Sequence, residues 1–102
     1  MFMLPMVLIF FAVVSGCLPN NDSYLDYEIG RKLYNTQDYQ ATFKYFSQAN
    51  GLREAQFSLG VMYEYGYGVN RDYKKAVEWY RKAAKQGYAD AQAALKELGE
   101  TW

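Results

Sequence analysis

The residues able to do chemistry in this chain are few and widely spaced. A single cysteine, Cys17, follows Val14-Ser15-Gly16; the carboxylates of Glu54 and Glu64 stand ten positions apart; and two glycines bracket an aromatic residue in Gly66-Tyr67-Gly68. The 102-residue chain contains no His, which excludes imidazole general bases, Ser-His-Asp and Cys-His nucleophiles and His-ligated metal. One cysteine supplies neither a zinc cluster nor an intrachain disulfide, so no metal or cofactor is expected. Gly66-Tyr67-Gly68 lacks the third glycine, the preceding strand and the Lys-Ser/Thr of a phosphate loop, and it reads as a turn. Glu54 and Glu64 are residue types used for acid-base hydrolysis, but no sequence signal poises either for that work. Lys plus Arg number 11 and Asp plus Glu 11, giving zero net charge; a nucleic-acid binder concentrates basic residues, so nucleic acid is not an expected partner. What the chain has in abundance is aromatic surface, 19% of its residues with 11 Tyr.

Helices must position these groups. Ala55, Leu59, Met62 and Tyr63 repeat at helical spacing, as do Tyr73, Ala76, Val77, Tyr80, Ala83 and Ala84, and no strand pattern competes. The spacing predicts helices over about 22–35, 38–49, 52–65, 72–86 and 89–100. Ala55-Gln56 recurs 36 residues later as Ala91-Gln92, Leu59 as Leu95 and Gly51 as Gly87, and a period of this length marks a helical-hairpin solenoid. In the loop Gly66 to Asp72 a glycine is expected to take the left-handed cap and Asp72 to cap the next helix, while Gly51 and Gly87 end the second helix of their periods in the same way.

The stretch from Ala55 to Leu95 resembles a Sel-one-like repeat, an extended relative of the tetratricopeptide repeat. Ala55, Leu59-Gly60, Tyr63, Gly66-Tyr67-Gly68-Val69, Asp72, Lys75-Ala76, Trp79, Lys82-Ala83-Ala84 and Gly87 match the family pattern in order. Upstream, Ile29-Gly30, Leu33, Asp38, Ala41, Tyr45, Ala49 and Gly51 resemble a degenerate copy without the Gly-x-Gly insertion. The resemblance implies an all-α, right-handed αα-hairpin solenoid of about two and a half repeats: a degenerate repeat over 23–51, a clear one over 52–87 and a terminal half repeat over 88–102. In this pattern Trp79 packs between hairpins. Leu95, Leu98 and Trp102 form a terminal stripe that either caps the solenoid or joins another chain.

The amino-terminal 16 residues carry no charge, and Met6 to Val14 are continuously apolar, short of the roughly 20 residues a spanning helix needs. They read as a signal peptide. Val14-Ser15-Gly16-Cys17 resembles the lipobox of bacterial lipoproteins, which implies acylation of Cys17 and a lipid anchor, and Leu18 after the Cys implies an outer membrane facing the periplasm. Residues 17–22 then form a short tether, holding the domain within about 18 Å of the anchor at roughly 3.5 Å per extended residue.

If Leu59, Gly60 and Tyr63 face the partner helix, then Glu54, Phe57, Val61 and Glu64 lie on the opposite face of theirs. Their counterparts are Tyr24, Tyr27, Arg31 and Tyr34 one repeat earlier and Asp90, Ala93 and Glu97 one repeat later. By resemblance to tetratricopeptide solenoids, this face lines a concave groove, and aromatics beside an Arg are residue types that dominate binding hot spots. The expected function is a membrane-anchored adaptor binding a protein or peptide, not an enzyme. A peptidoglycan or glycan binder is the alternative, and hydrolysis of penicillin-like compounds a weaker one, since the secreted relatives linked to it are Cys-rich. Residues 71–86 carry six basic and two acidic residues, +4 in sum, and read as a solvated outer face, whereas 87–102 sum to −2.

Overall fold

The computed structural model describes residues 21–102. Cys17, the signal segment 1–16 and the tether as far as Asn20 lie outside the described residues. Five helices follow one another: α1 Asn21–Asn35, α2 Tyr39–Gln48, α3 Arg53–Tyr65, α4 Tyr73–Lys85 and α5 Ala89–Glu97, with no strand among the described residues. None of these helices is long and apolar enough to cross a membrane. Consecutive helices pack as antiparallel neighbours, α1 on α2, α3 on α4 and α5 on α4, which is an αα-hairpin solenoid ending in a half repeat.

Caps set the element boundaries. The Asp38 carboxylate accepts from the Ala41 amide at 3.3 Å and that of Asp72 from the Lys75 amide at 3.1 Å, each satisfying an amide that the first helical turn leaves open. Gly66, at φ +75°, closes α3 in the left-handed region with its amide on the Met62 carbonyl. Gly68 is left-handed too, and a Cβ there would lie 2.5 Å from the Tyr39 carbonyl oxygen, so the loop rests directly on the start of α2.

Two expectations need correction. Asn21 and Asp22, the last residues of the expected tether, belong to α1, and the rest of that tether lies outside the described residues. Gly51 is not in the left-handed region: α2 closes at Ala49, whose amide reaches the Tyr45 and Phe46 carbonyls, and the Leu52 amide turns back onto the Ala49 carbonyl. The last helix stops at Glu97, not 100, because Gly99 takes φ +74° and the Glu100 amide bonds the Leu95 carbonyl, closing the helix in a left-handed cap. The tail then folds back on α4, with Arg81 Nε on the Thr101 carbonyl at 2.7 Å and its guanidinium paired to Glu100 at 2.9 Å. Leu95 is buried and Leu98 packs partly against the same α4–α5 cluster, while Trp102 stays exposed, so the expected stripe breaks at the helix end.

The two complete hairpins are closed by the same contact. A Cβ at Gly30 would stand 2.6 Å from the Phe46 ring and one at Gly60 2.5 Å from the Tyr80 ring, so in each hairpin an aromatic of the second helix lies directly against bare backbone of the first. In α5 the equivalent position is Lys96, which is exposed. Burial is unequal along the array: α3 and α4 each bury five residues, whereas in α1 only Gly30 is fully buried among the described side chains and backbone.

Trp79 is half-buried against the cluster of Phe46, Leu59 and Met62, which lets one indole join the two hairpins, and Lys82 Nζ covers its ring at 4.1 Å. Glutamines tie the turns to the helices. Gln56 donates to the Asn50 carbonyl at 2.9 Å and accepts from Gln86 at 2.8 Å, and its repeat counterpart Gln92 donates to the Ala84 carbonyl at 3.0 Å. Each thereby satisfies a carbonyl at the end of the preceding helix.

Gly60→Ala forces the Tyr80 ring off its seat, and overpacking of this kind costs about 1–3 kcal/mol. The variant is expected to melt several degrees below wild type in a circular-dichroism scan; an unchanged midpoint would show that the hairpin can spread without loss.

Candidate functional site

Helices α1, α3 and α5 lie side by side, and the surface they share holds two adjoining cavities. The first, about 270 Å³, is lined by Tyr27, Arg31 and Tyr34 of α1 and by Phe57, Ser58 and Val61 of α3, with Asn35 at its edge and Phe46 reaching in from α2. The second, about 250 Å³, lies between α3 and α5 and is lined by Phe57, Val61, Glu64, Asp90, Ala93 and Glu97, together with Tyr65, Tyr80, Ala94 and Leu98. Phe57 and Val61 belong to both, so the cavities form one groove across the repeats. Of the residues that the helical spacing put on one face, Tyr27, Arg31, Tyr34, Phe57, Val61, Glu64, Asp90, Ala93 and Glu97 line it.

The groove floor is aromatic and held from below. Phe57 packs on Tyr80 with ring centroids 5.5 Å apart and edge-on to Tyr88 at 5.3 Å, while Tyr27 packs on Phe46 at 5.4 Å. Arg31 pairs with Glu28 at 3.0 Å and lies 6.0 Å from the Tyr27 ring centroid, keeping a cation at the α1 wall. Tyr34 belongs to an aromatic stack with Tyr39 and Tyr67 at the loop end of the hairpins, and the exposed Tyr65 extends it.

Two expected groove residues stand apart. Tyr24 is 56% exposed near the start of α1 and lines neither cavity, because the groove narrows only where α1 meets α3, a turn further on. Glu54 also lines neither; its carboxylate is taken by Arg53 at 3.3 Å, close to the turn that precedes α3. Glu54 and Glu64 sit at opposite ends of one helix, about 15 Å apart at 1.5 Å rise per residue. That is too far for two carboxylates to flank one scissile bond, which takes roughly 5–9.5 Å.

Sequence spacing placed Tyr80 on the apolar stripe of α4 and gave no sign of a role in the groove. It is a core residue whose ring seats on Gly60, yet it also lines the second cavity, where its hydroxyl donates to Glu64 Oε1 at 2.6 Å. Burial pushes the Tyr80 phenol far above its usual range, and the Glu64 carboxylate, as acceptor and as charge, pushes the same way. Burial likewise raises Tyr27 and Tyr34, whereas at Tyr65 the Glu64 charge is the first cause.

A larger open hollow of about 740 Å³ lies elsewhere, between α2 and the Gly66–Asp72 loop. Its polar, loop-lined floor contains none of the groove residues. The structural positions of the repeat fill the interior instead: Ala55, Leu59, Gly60, Ala76, Ala83 and Ala84 are buried, and Tyr63 packs edge-on to Phe43 at 5.6 Å beneath Lys75.

With this geometry the chain belongs to the Sel1 repeat family, whose model matches residues 27–50 and 53–88. Sel1 repeats are αα-hairpin units that mediate protein–protein interactions. Over 63 residues the chain is 42% identical to the rat protein DAP3-binding cell death enhancer 1, covering 60% of this chain and 12% of the rat protein. It is 47% identical over 47 residues to chitin synthase regulatory factor 3 of Schizosaccharomyces pombe, covering 46% of this chain and 5% of the yeast protein. It is 43% identical over 49 residues to the putative beta-lactamase HcpC of Helicobacter pylori, covering 46% of this chain and 17% of that protein. The chain thus spans less than a fifth of these relatives.

Alkaline titration tests the Tyr80–Glu64 contact. The folded phenol has a higher pKa than the unfolded one, so its contribution to stability is fully present below about pH 10 and is lost as pH rises beyond that. Tyr80→Phe is expected to flatten the fall of stability with pH in that range, measured by urea melts; an unchanged slope would assign the fall to the other tyrosines.

Proposed function

We propose that this protein is a membrane-anchored adaptor of the bacterial cell envelope that holds a protein or peptide in its concave groove. The observation that carries the reading is the continuity of the two cavities over Phe57 and Val61, which makes a track across three helices instead of a closed pocket for one small molecule. Aromatic floor and charged rim are the composition of interaction hot spots. Two relatives support the same class by name, one as a DAP3-binding protein and one as a regulatory factor of chitin synthase.

The anchor is the lipid that the lipobox-like Val14-Ser15-Gly16-Cys17 would receive, and Leu18 after the Cys supports an outer-membrane location facing the periplasm. Two or three acyl chains hold a protein stably where one binds reversibly. Asn21 is helical and lies only four positions after Cys17, so a partner must come to the membrane surface.

Cys17→Ala is expected to move the protein from the membrane to the soluble fraction of its host; unchanged fractionation would remove the lipid anchor from the proposal. The adaptor reading is tested by a crosslinked pull-down of the anchored protein beside Phe57→Ala and the surface variant Arg31→Glu, each confirmed folded by circular dichroism. A protein recovered with wild type and lost with both variants is the expected result. Sedimentation with peptidoglycan sacculi, without any captured protein, would replace it with the glycan-binding alternative.

A further inference from the structure

The chain is neutral overall, but its charges are sorted by face. Lys74, Lys75, Lys82 and Lys85 of α4 are exposed, with Lys75 drawn over the Tyr63 ring and Lys82 over that of Trp79. The α3–α5 cavity has the opposite character. Its charged lining consists of Glu64, Asp90 and Glu97, with no Lys or Arg among the lining residues. Three ion pairs form among the described residues, through Glu28, Glu54 and Glu100, and none uses these carboxylates. Glu64 accepts from Tyr80, a neutral hydroxyl, and leaves its charge uncompensated.

We infer that the α3–α5 half of the groove receives a lysine- or arginine-bearing segment of the partner protein, with a neighbouring apolar side chain seated on Phe57 and Val61. This rests on the concave face being the interaction surface. Charge complementarity selects the occupant: three carboxylates around an apolar floor attract a cation that can bury its methylene stem while its charged end meets acceptors. Tyr65, 60% exposed at the rim, offers an aromatic face to the same cation. At about 250 Å³ the cavity suits one long side chain, and its continuity with the α1–α3 cavity lets the chain carrying that side chain run on past Phe57. Arg31 at the far end, the one basic residue in the groove lining, gives the track a direction by meeting an acidic residue or a carbonyl.

The test uses fluorescence anisotropy of the full chain with a fluorescein-labelled, end-blocked peptide alternating Lys and Leu, beside its counterpart with Glu replacing every Lys. The Lys peptide is expected to bind at least about tenfold more tightly than the Glu peptide, and less tightly as salt is raised. Glu64→Gln/Asp90→Asn/Glu97→Gln, which keeps an acceptor for the Tyr80 hydroxyl, is expected to weaken the Lys peptide about tenfold, and Glu78→Gln on the exposed side of α4 to leave it unchanged. No binding of the Lys peptide, equal binding of both peptides, or equal loss in the Glu78→Gln control would overturn the inference. The pull-down separates this from the broader reading. A partner lost with Phe57→Ala but retained by the triple variant leaves the groove as the interaction surface and removes its cationic preference, whereas a partner indifferent to both removes the two together.

Discussion

An aromatic ring lying on a helix that has no side chain beneath it sets the geometry of each hairpin. Phe46 on Gly30 and Tyr80 on Gly60 bring two backbones closer than any Cβ would allow, and the surrounding alanines, Ala76, Ala83 and Ala84, continue that close approach along α4. The groove depends on this contact. Because the Tyr80 ring is fixed against Gly60, its edge supports Phe57 and its hydroxyl meets Glu64, so one residue links the tightest point of the core to the floor and the charge of the concave face. In the other hairpin Phe46 carries its contact with Gly30 to the groove wall through the Tyr27 ring.

Much of this was legible because the signals were periodic. The recurrence of Ala55-Gln56 and Leu59 as Ala91-Gln92 and Leu95 gave the repeat, and an alternation of faces within α3 placed Phe57, Val61 and Glu64 opposite Leu59 and Gly60. Asp72 and Gly66 announced their joint because a cap is a local matter of one side chain or one backbone angle. What stayed hidden was decided by contacts between distant segments. The tail folds back because Arg81, about 20 residues upstream, binds Glu100 and the Thr101 carbonyl, and that contact leaves no periodic trace. Gly51 and Gly87 look alike in sequence, but only Gly87 turns left-handed; the turn after α2 is instead closed by Ala49 and fastened by Gln56 and Gln86. Tyr24 and Glu54 shared the right helical face and missed the groove because a face is longer than the region where neighbouring helices meet.

The sorting of charge follows from which helix of each pair is outside. In the clear repeat α4 has one face packed on Gly60 and the α5 cluster and the other in water, so its lysines collect there, over Tyr63 and Trp79. Helices α3 and α5 turn Glu64, Asp90 and Glu97 to the concave side, where no Lys or Arg joins them. A net charge of zero therefore describes two opposed surfaces and not a neutral one.

The uneven burial of the helices has a further meaning for the groove. In a linear array each unit is held only by its neighbours, and among the described residues α1 packs chiefly on α2 and buries only Gly30. By burial, the α3–α4 hairpin is the best-held unit among the described residues and α1 the least. The wall bearing Tyr27, Arg31 and Tyr34 is thus the compliant jaw of the groove and the α3–α5 wall the fixed one. A segment held in the proposed groove would contact both walls, so its binding would add to the few contacts that hold α1.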